Sequence, residues 1–264
     1  MRLLSAKYCL SNQPQLALLE QEVAEILRAS KEIAILVGGQ ALSVWANFYE
    51  VAIPSVLSAQ VTRDVDFIGS ADTALKVKGG LSNGDWKFEQ IRSGALSPVT
   101  AQLTLKTQDG LKEIDFLGSI LGLDTDDVRR RAVSVDLADG SVVTVLHPLD
   151  VLASRLHNLA ELEEKRNEKG VAQAQLAISI AAAFLRDGVA HGNERELFNQ
   201  IERIRVIVTN EKIAAICREF ALDVLSCVPL EQITNENFKT RRWPQIKREV
   251  QSMTGVSGAG GPRT

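Results

Sequence analysis

Two short stretches constrain this chain more than any other part of it: VDFIGS at 65–70 and IDFLGS at 114–119 are nearly the same word. Each ends an apolar run, and each sets a carboxylate, an aromatic, an aliphatic and a glycine in the same order. Read with period two, Asp64, Asp66 and Ile68 fall on one face of a strand and Val65 and Phe67 on the other. In the second stretch Glu113 and Asp115 share a face, while Ile114 and Phe116 take the opposite one. A half-buried strand that gives two successive positions of one face to carboxylates incurs desolvation and like-charge repulsion. A divalent cation offsets both, because Cα atoms two apart on a strand are about 6.7 Å apart and both side chains can lean onto one ion. The competing reading of either stretch alone is a charged strand end in solvent. The recurrence favours neighbouring strands that carry Asp64, Asp66 and Asp115 onto one surface. The residues between the copies do not match, so the echo is local and not a repeated domain.

Apolar residues at 16, 19, 23, 26 and 27 predict an amphipathic helix over 16–29. The run IAILV at 33–37 reads as a short buried strand, followed at once by Gly38 and Gly39 and by a helix over 40–49. A glycine pair between strand and helix lets backbone N–H groups face an anion without a side chain in the way. An ordinary tight turn is the alternative. A short helix over 72–81 and strands over 86–88, 99–106, 111–117, 131–137 and 142–146 follow, with Asp139-Gly140 turning the last pair into a hairpin.

After Pro148 the pattern becomes helical, with segments expected from 149 onward and over 171–186, 194–208, 211–227 and 238–253, the last with a break at Trp243-Pro244. The fold class is therefore α/β (α+β): a mixed-sheet domain over 1–147, a helical domain over 148–254 and a disordered tail over 255–264.

With 264 residues, 45% of them hydrophobic, and a formal net charge of −3, the chain has material for a sizeable core and no extended basic surface for wrapping nucleic acid. Cys9, Cys217 and Cys227 form no CxxC, which argues against a zinc site and a disulfide frame. No stretch has the length of a secretion signal core or a membrane span, so a cytoplasmic protein without a membrane partner is expected.

The candidate chemistry follows from oxygen. Asp64, Asp66 and Asp115 offer carboxylates with no Cys or His at ligand spacing, which suits Mg²⁺, with Mn²⁺ as a substitute, over Zn²⁺. Two such ions beside a phosphate-facing glycine turn suit nucleotidyl or phosphoryl transfer. Neither GxGxxG nor a P-loop is present, and no Ser, Cys or His arrangement supports covalent catalysis. Arg155, Asn158 and Lys165 share one face of the expected helix after Pro148 and could reach nucleotide phosphates; a solvated face with a Glu161–Lys165 pair is the alternative. Arg129, Arg130 and Arg131 are the dense basic run near the sheet, either a hold for an acceptor RNA or a solvated turn.

The set VGG at 37–39, DVD at 64–66 and IDF at 114–116 resembles the signature of the DNA polymerase β-like nucleotidyltransferases. With HPLDVLASRLHNLAELEEKRNEKG at 147–170, it is similar to the minimal nucleotidyltransferases that include AbiEii-type toxin components. The resemblance spans roughly 33–170. It implies that Gly38 and Gly39 contact a triphosphate, that Asp64 and Asp66 bind two metal ions, and that Asp115 binds the catalytic one and helps activate an acceptor hydroxyl. It further implies an NTP substrate, an RNA, protein or small-molecule acceptor, and a cognate antitoxin as partner. Gly39 stands where the family often has serine, and the stretch between Gly39 and Asp64 is longer than the family's usual interval. A non-catalytic nucleotide-binding or protein-interaction module is the chief alternative, and a structural domain whose acidic strand ends bind adventitious cations is a third, disfavoured by the complete set of Gly38, Gly39, Asp64, Asp66 and Asp115.

Overall fold

The computed structural model describes residues 14–58, 64–82, 84–91, 98–137, 139–192 and 194–254. The expected tail over 255–264 lies outside them. The elements, in chain order, are α1 (Glu20–Ala29), β1 (Ile35–Leu36), α2 (Gly38–Phe48), α3 (Ser55–Ser58), β2 (Asp64–Ile68), α4 (Ala71–Gly80), β3 (Lys87–Gln90) and β4 (Val99–Lys106). Then come β5 (Leu111–Leu117), α5 (Thr125–Arg131), β6 (Val133–Asp136), β7 (Val142–Val145), α6 (Pro148–Glu161), a 3-10 turn (Glu163–Lys165), α7 (Glu168–Ala190) and α8 (Glu194–Val208). The chain continues through α9 (Glu211–Glu219), a second 3-10 turn (Val224–Cys227), a π-helical turn (Phe238–Arg242) and α10 (Trp243–Thr254). The fold is α/β, a mixed sheet followed by a helical region.

The described residues divide into two units. One runs up to Val44 and takes in Ser55–Val151; the other holds Trp45–Pro54 and everything from Leu152 on. The expected single cut at 147/148 differs from this division in two ways. The first turn of α6 goes with the sheet, where Leu149 is fully buried and the buried Asp150 accepts a two-pronged bond from Arg131 at 2.9 and 3.0 Å. Residues 45–54 go with the helices, although nothing in their composition marks a boundary.

In the first unit seven strands form one sheet in the order β3-β4-β5-β2-β1-β7-β6. β2 runs parallel to β5 and β1 parallel to β7, and the remaining neighbours are antiparallel. The echoed words prove to be register partners: Val65 faces Ile114, Asp66 faces Asp115, Phe67 faces Phe116 and Ile68 faces Leu117. Parallel neighbours in register put like side chains side by side, so the near-identity of the two sequences is the near-identity of two adjacent environments. Phe67 and Phe116 are both fully buried, with ring centroids 5.7 Å apart, and α4 packs over β3, β4 and β5 beside α1. The shared glycines have a packing reason too. A Cβ on Gly69 would meet Thr73 and Phe116, and one on Gly118 would meet Thr100. The register shift between Val99 and Ala101 sets the Thr100 hydroxyl to donate to the carbonyls of Gly69 and Phe116, at 2.9 and 3.0 Å.

Three expectations need correcting here. The strand over 131–137 begins only at Val133, because Asp124 caps a helix over Thr125–Arg131 by accepting the Asp127 N–H at 2.9 Å. The hairpin itself forms, between β6 and β7. Residues 16–19 are not helical: Pro14–Leu16 docks beside the start of β5, with Gln15 bridged to Leu111. The helix expected to run through 227 stops at Glu219, and Ala221 takes a left-handed φ of 51° as the chain turns.

In the second unit α7 is buried along much of its length through a run of small residues, among them Ala174, Ala177 and Ala181. It packs on α8 and on the Val224–Cys227 turn. The expected interruption at Trp243-Pro244 takes the form of a π-helical turn over Phe238–Arg242 that runs directly into α10, with Pro244, which has no N–H to donate, as the second residue of α10.

Candidate active site

The parity of β2 and β5 delivers four carboxylates to one face of the sheet. Asp64 is the register partner of Glu113 and Asp66 that of Asp115, all four half-buried, while Val65, Phe67, Ile114 and Phe116 fill the opposite, fully buried face. Lateral neighbours in a sheet lie about 4.8 Å apart and successive positions on one face about 6.7 Å, so this is a small rectangle of like charge. The sequence pattern points to Asp64, Asp66 and Asp115 as the site and puts Glu113 on their face without giving it a part. The parallel register makes it the fourth corner.

β1 ends against this rectangle. The Val37 N–H donates to the Asp66 carbonyl at 2.9 Å, and α2 begins at Gly38 with a φ of 68°. A Cβ at Gly38 would run into the Asp66 carboxylate, whereas one at Gly39 would meet nothing within 4 Å. The two glycines therefore do different things. Gly38 permits both the left-handed backbone and the close approach of Asp66 to the start of α2, where the unpaired N–H groups and the helix dipole favour negative charge. Gly39 leaves the first turn of that helix open.

Two amides tie the carboxylates down. Gln102 on β4 donates to Asp115 Oδ1 at 2.8 Å. Gln15, from the segment before α1, donates its Nε2 to both Asp64 Oδ1 and Glu113 Oε2, the latter at 2.6 Å. Neither glutamine carries a motif; both are identified only by the register that sets them beside the aspartates. The chain matches no protein-family model and no curated protein in sequence.

The chemistry of the donor set fits a hard divalent cation, since every donor in the rectangle is oxygen. Among the described residues no three His, Cys, Asp or Glu side chains converge closely enough to hold one ion as they stand. Amides already occupy part of the donor set: Gln15 donates to Asp64 and Glu113, and Gln102 to one oxygen of Asp115.

The expected phosphate contacts of the helical region are less coherent than the carboxylates. Arg155 and Asn158 lie on α6 and are half-buried, and Arg155 Nη1 donates to Gln173 Oε1 at 3.3 Å. Lys165 does not share their helical face. α6 ends at Glu161, Leu162 is extended, and Lys165 sits exposed in the following 3-10 turn. Arg166 ends the helix by donating to the carbonyls of Leu159 and Ala160 at 2.9 and 2.8 Å. The basic run at 129–131 is paired on its own helix: Arg129 with Asp126, Arg130 and Arg131 with Asp127, and Arg131 also with Asp150. The hydrogen bond from Arg131, with Arg130 beside it, holds the Asp127 carboxyl below its usual range. His147 accepts the Leu149 N–H on Nδ1 at 3.1 Å, and His157 meets Glu161 at 3.2 Å, so both have local partners. No helix among the described residues is long and apolar enough to cross a membrane.

Proposed function

We propose that this protein is a Mg²⁺-dependent nucleotidyltransferase that moves a nucleoside monophosphate from an NTP to a hydroxyl acceptor and releases pyrophosphate. One observation carries the reading: the register pairs Asp64–Glu113 and Asp66–Asp115 share a sheet face, with the glycine start of α2 against Asp66. Asp64, Asp66 and Asp115 would hold the cations. Bound there, Mg²⁺ supplies the positive charge that screens a triphosphate and eases ionisation of the attacking hydroxyl. The open first turn at Gly39 offers backbone N–H groups to phosphate oxygens. Asp115, held through one oxygen by Gln102, would stand beside the cation and the acceptor hydroxyl. An RNA 3′ end, a protein hydroxyl or a small-molecule hydroxyl all satisfy this chemistry, and a partner of antitoxin type belongs to the same reading.

A second reading, a nucleotide-binding or interaction module without catalysis, draws support from the amide bonds of Gln15 and Gln102, which satisfy carboxylates without a metal. Incubation with NTPs labelled at the α phosphate, in Mg²⁺, with RNA, protein and small-molecule acceptors offered separately, separates the two. Nucleotidyl transfer keeps the α phosphorus on the acceptor and releases pyrophosphate in equal amount, whereas a kinase leaves that label in NDP. Transfer that is lost in Asp64→Ala and Asp115→Ala supports the enzyme. NTP binding without transfer to any acceptor class favours the module, and no binding of NTP or Mg²⁺ at millimolar concentration rules out the enzyme and leaves only an interaction module.

A further inference from the structure

We infer that Gln15 is a positioning residue of the carboxylate face, one that bridges Asp64 to Glu113 when no cation is bound and yields Asp64 when a cation arrives. The inference rests on the cation-site reading above. Its basis is register. Leu111 N–H donates to the Pro14 carbonyl at 3.0 Å, and Leu16 N–H donates to the Leu111 carbonyl at 2.7 Å, so the segment runs parallel to β5 with Gln15 bridged to Leu111. Glu113, two residues further along β5, is partnered by Asp64. Gln15 thus occupies the place along β5 that an extension of β2 would occupy, and the period of two puts its side chain on the carboxylate face, one step from Asp64. Gly110 makes the docking possible, because a Cβ there would strike the Pro14 carbonyl and the Leu16 side chain.

The amide group has two N–H bonds and two carboxylates to serve, Asp64 and Glu113. Lateral carboxylates repel, and a neutral amide relieves that repulsion only in part. A divalent cation carries two full charges and relieves it further, but it must compete with Gln15 for Asp64. Removing the amide therefore raises the free energy of the cation-free face and removes the competitor, and both effects tighten cation binding.

The test uses the full chain and Mn²⁺ as probe, with free Mn²⁺ counted by electron paramagnetic resonance. Gln15→Ala and Gln15→Leu should bind Mn²⁺ roughly tenfold more tightly than wild type, the size expected for loss of charge-assisted hydrogen bonds. In an Asp64→Asn background the same change at Gln15 should leave the affinity unaltered. In protein labelled with ¹⁵N-glutamine, the Gln15 side-chain NH₂ signal, assigned by its absence in Gln15→Ala, should move as Mg²⁺ is added. Wild type that binds Mn²⁺ with an affinity that both Gln15 variants leave unchanged or weaken overturns the inference alone. Wild type that binds no Mn²⁺ overturns the cation-site reading and the inference with it.

Discussion

Gly38 and Gly39 adjoin in sequence and differ in what each can tolerate. Gly38→Ala adds a Cβ at a φ of 68° and drives it into the Asp66 carboxylate, so the change should cost about 2 kcal/mol and displace Asp66 from its place beside α2. Gly39→Ala adds its methyl to open space and should leave the melting temperature within a degree or two while weakening NTP binding, if the open turn receives phosphate. Thermal melts with NTP titrations separate the pair; equal stability loss in both would mean the helix start is constrained by something other than Asp66. The thiols give a second residue-scale expectation. Burial pushes Cys217 up to about 11 and Cys227 up to about 12, so at pH 8 either thiolate is scarce. Iodoacetamide should modify both in urea and neither at a comparable rate in the native protein, as peptide mass mapping will show.

At the scale of elements, the end of α6 decides how the chain enters α7. Arg166 satisfies two terminal carbonyls of α6, Asn167 caps α7 through the Gly170 N–H at 2.9 Å, and a Cβ on Gly170 would run into the Lys165 carbonyl. Arg166→Ala should cost about 1 kcal/mol and Gly170→Ala more, both read from urea midpoints. Arg166→Lys should recover little, since an ammonium cannot span two carbonyls as a guanidinium does. This junction also shows what could be read in the letters. The strand parity of Asp64, Asp66 and Asp115, the glycine pair after β1 and the change of pattern at Pro148 are local periodicities, and local periodicity is written in the sequence. The capped helix at Thr125–Arg131 is hard to read because Arg131 also suits the first position of the next strand, although Asp124 three residues before Asp127 is a cap signal. LAELEEKRNE holds no breaker, so Lys165 reads as one face with Arg155; the helix ends before it, and Arg166 caps it by reaching back to Leu159 and Ala160, a contact without a sequence signature. Gln15 and Gln102 join the site only through strand pairing, which no single segment encodes, and it is pairing with Asp64 that gives Glu113, already on the face of Asp115, its place as fourth corner.

Across the whole molecule, ionisation sets opposite limits at low and high pH. Glu202 is held below 4.5 by its hydrogen bond from Arg242 and then by Arg205, with Glu249 joining both arginines. Glu161 is lowered chiefly by Lys212, Glu25 by Ser82 and Asp139 by Ser141. A carboxyl whose folded value is depressed contributes stability that is present above its unfolded value and is lost as pH falls from there through the folded one. The acid limb should therefore begin near pH 4.5 and draw on both units. At the other end burial, with Asp187 second, pushes the Tyr49 phenol up to about 12, and burial raises Cys217 and Cys227 likewise. For these the unfolded chain ionises first, so their contribution is complete below the unfolded values and disappears as pH rises through the folded ones. All three belong to the helical unit. Melting temperature should thus be flat from about pH 5 to 8 and fall on both sides. Glu202→Gln should melt below wild type at pH 7, where it cannot answer Arg242 and Arg205, and the gap should close as pH drops below 4.5 and the wild-type carboxyl takes up its proton. A gap of the same size at pH 3 and pH 7 would show that Glu202 stabilises α8 and α10 by packing and not by charge. Tyr49→Phe should move only the alkaline limb, and hydrogen exchange above pH 10 should report the loss in the helical unit before the sheet.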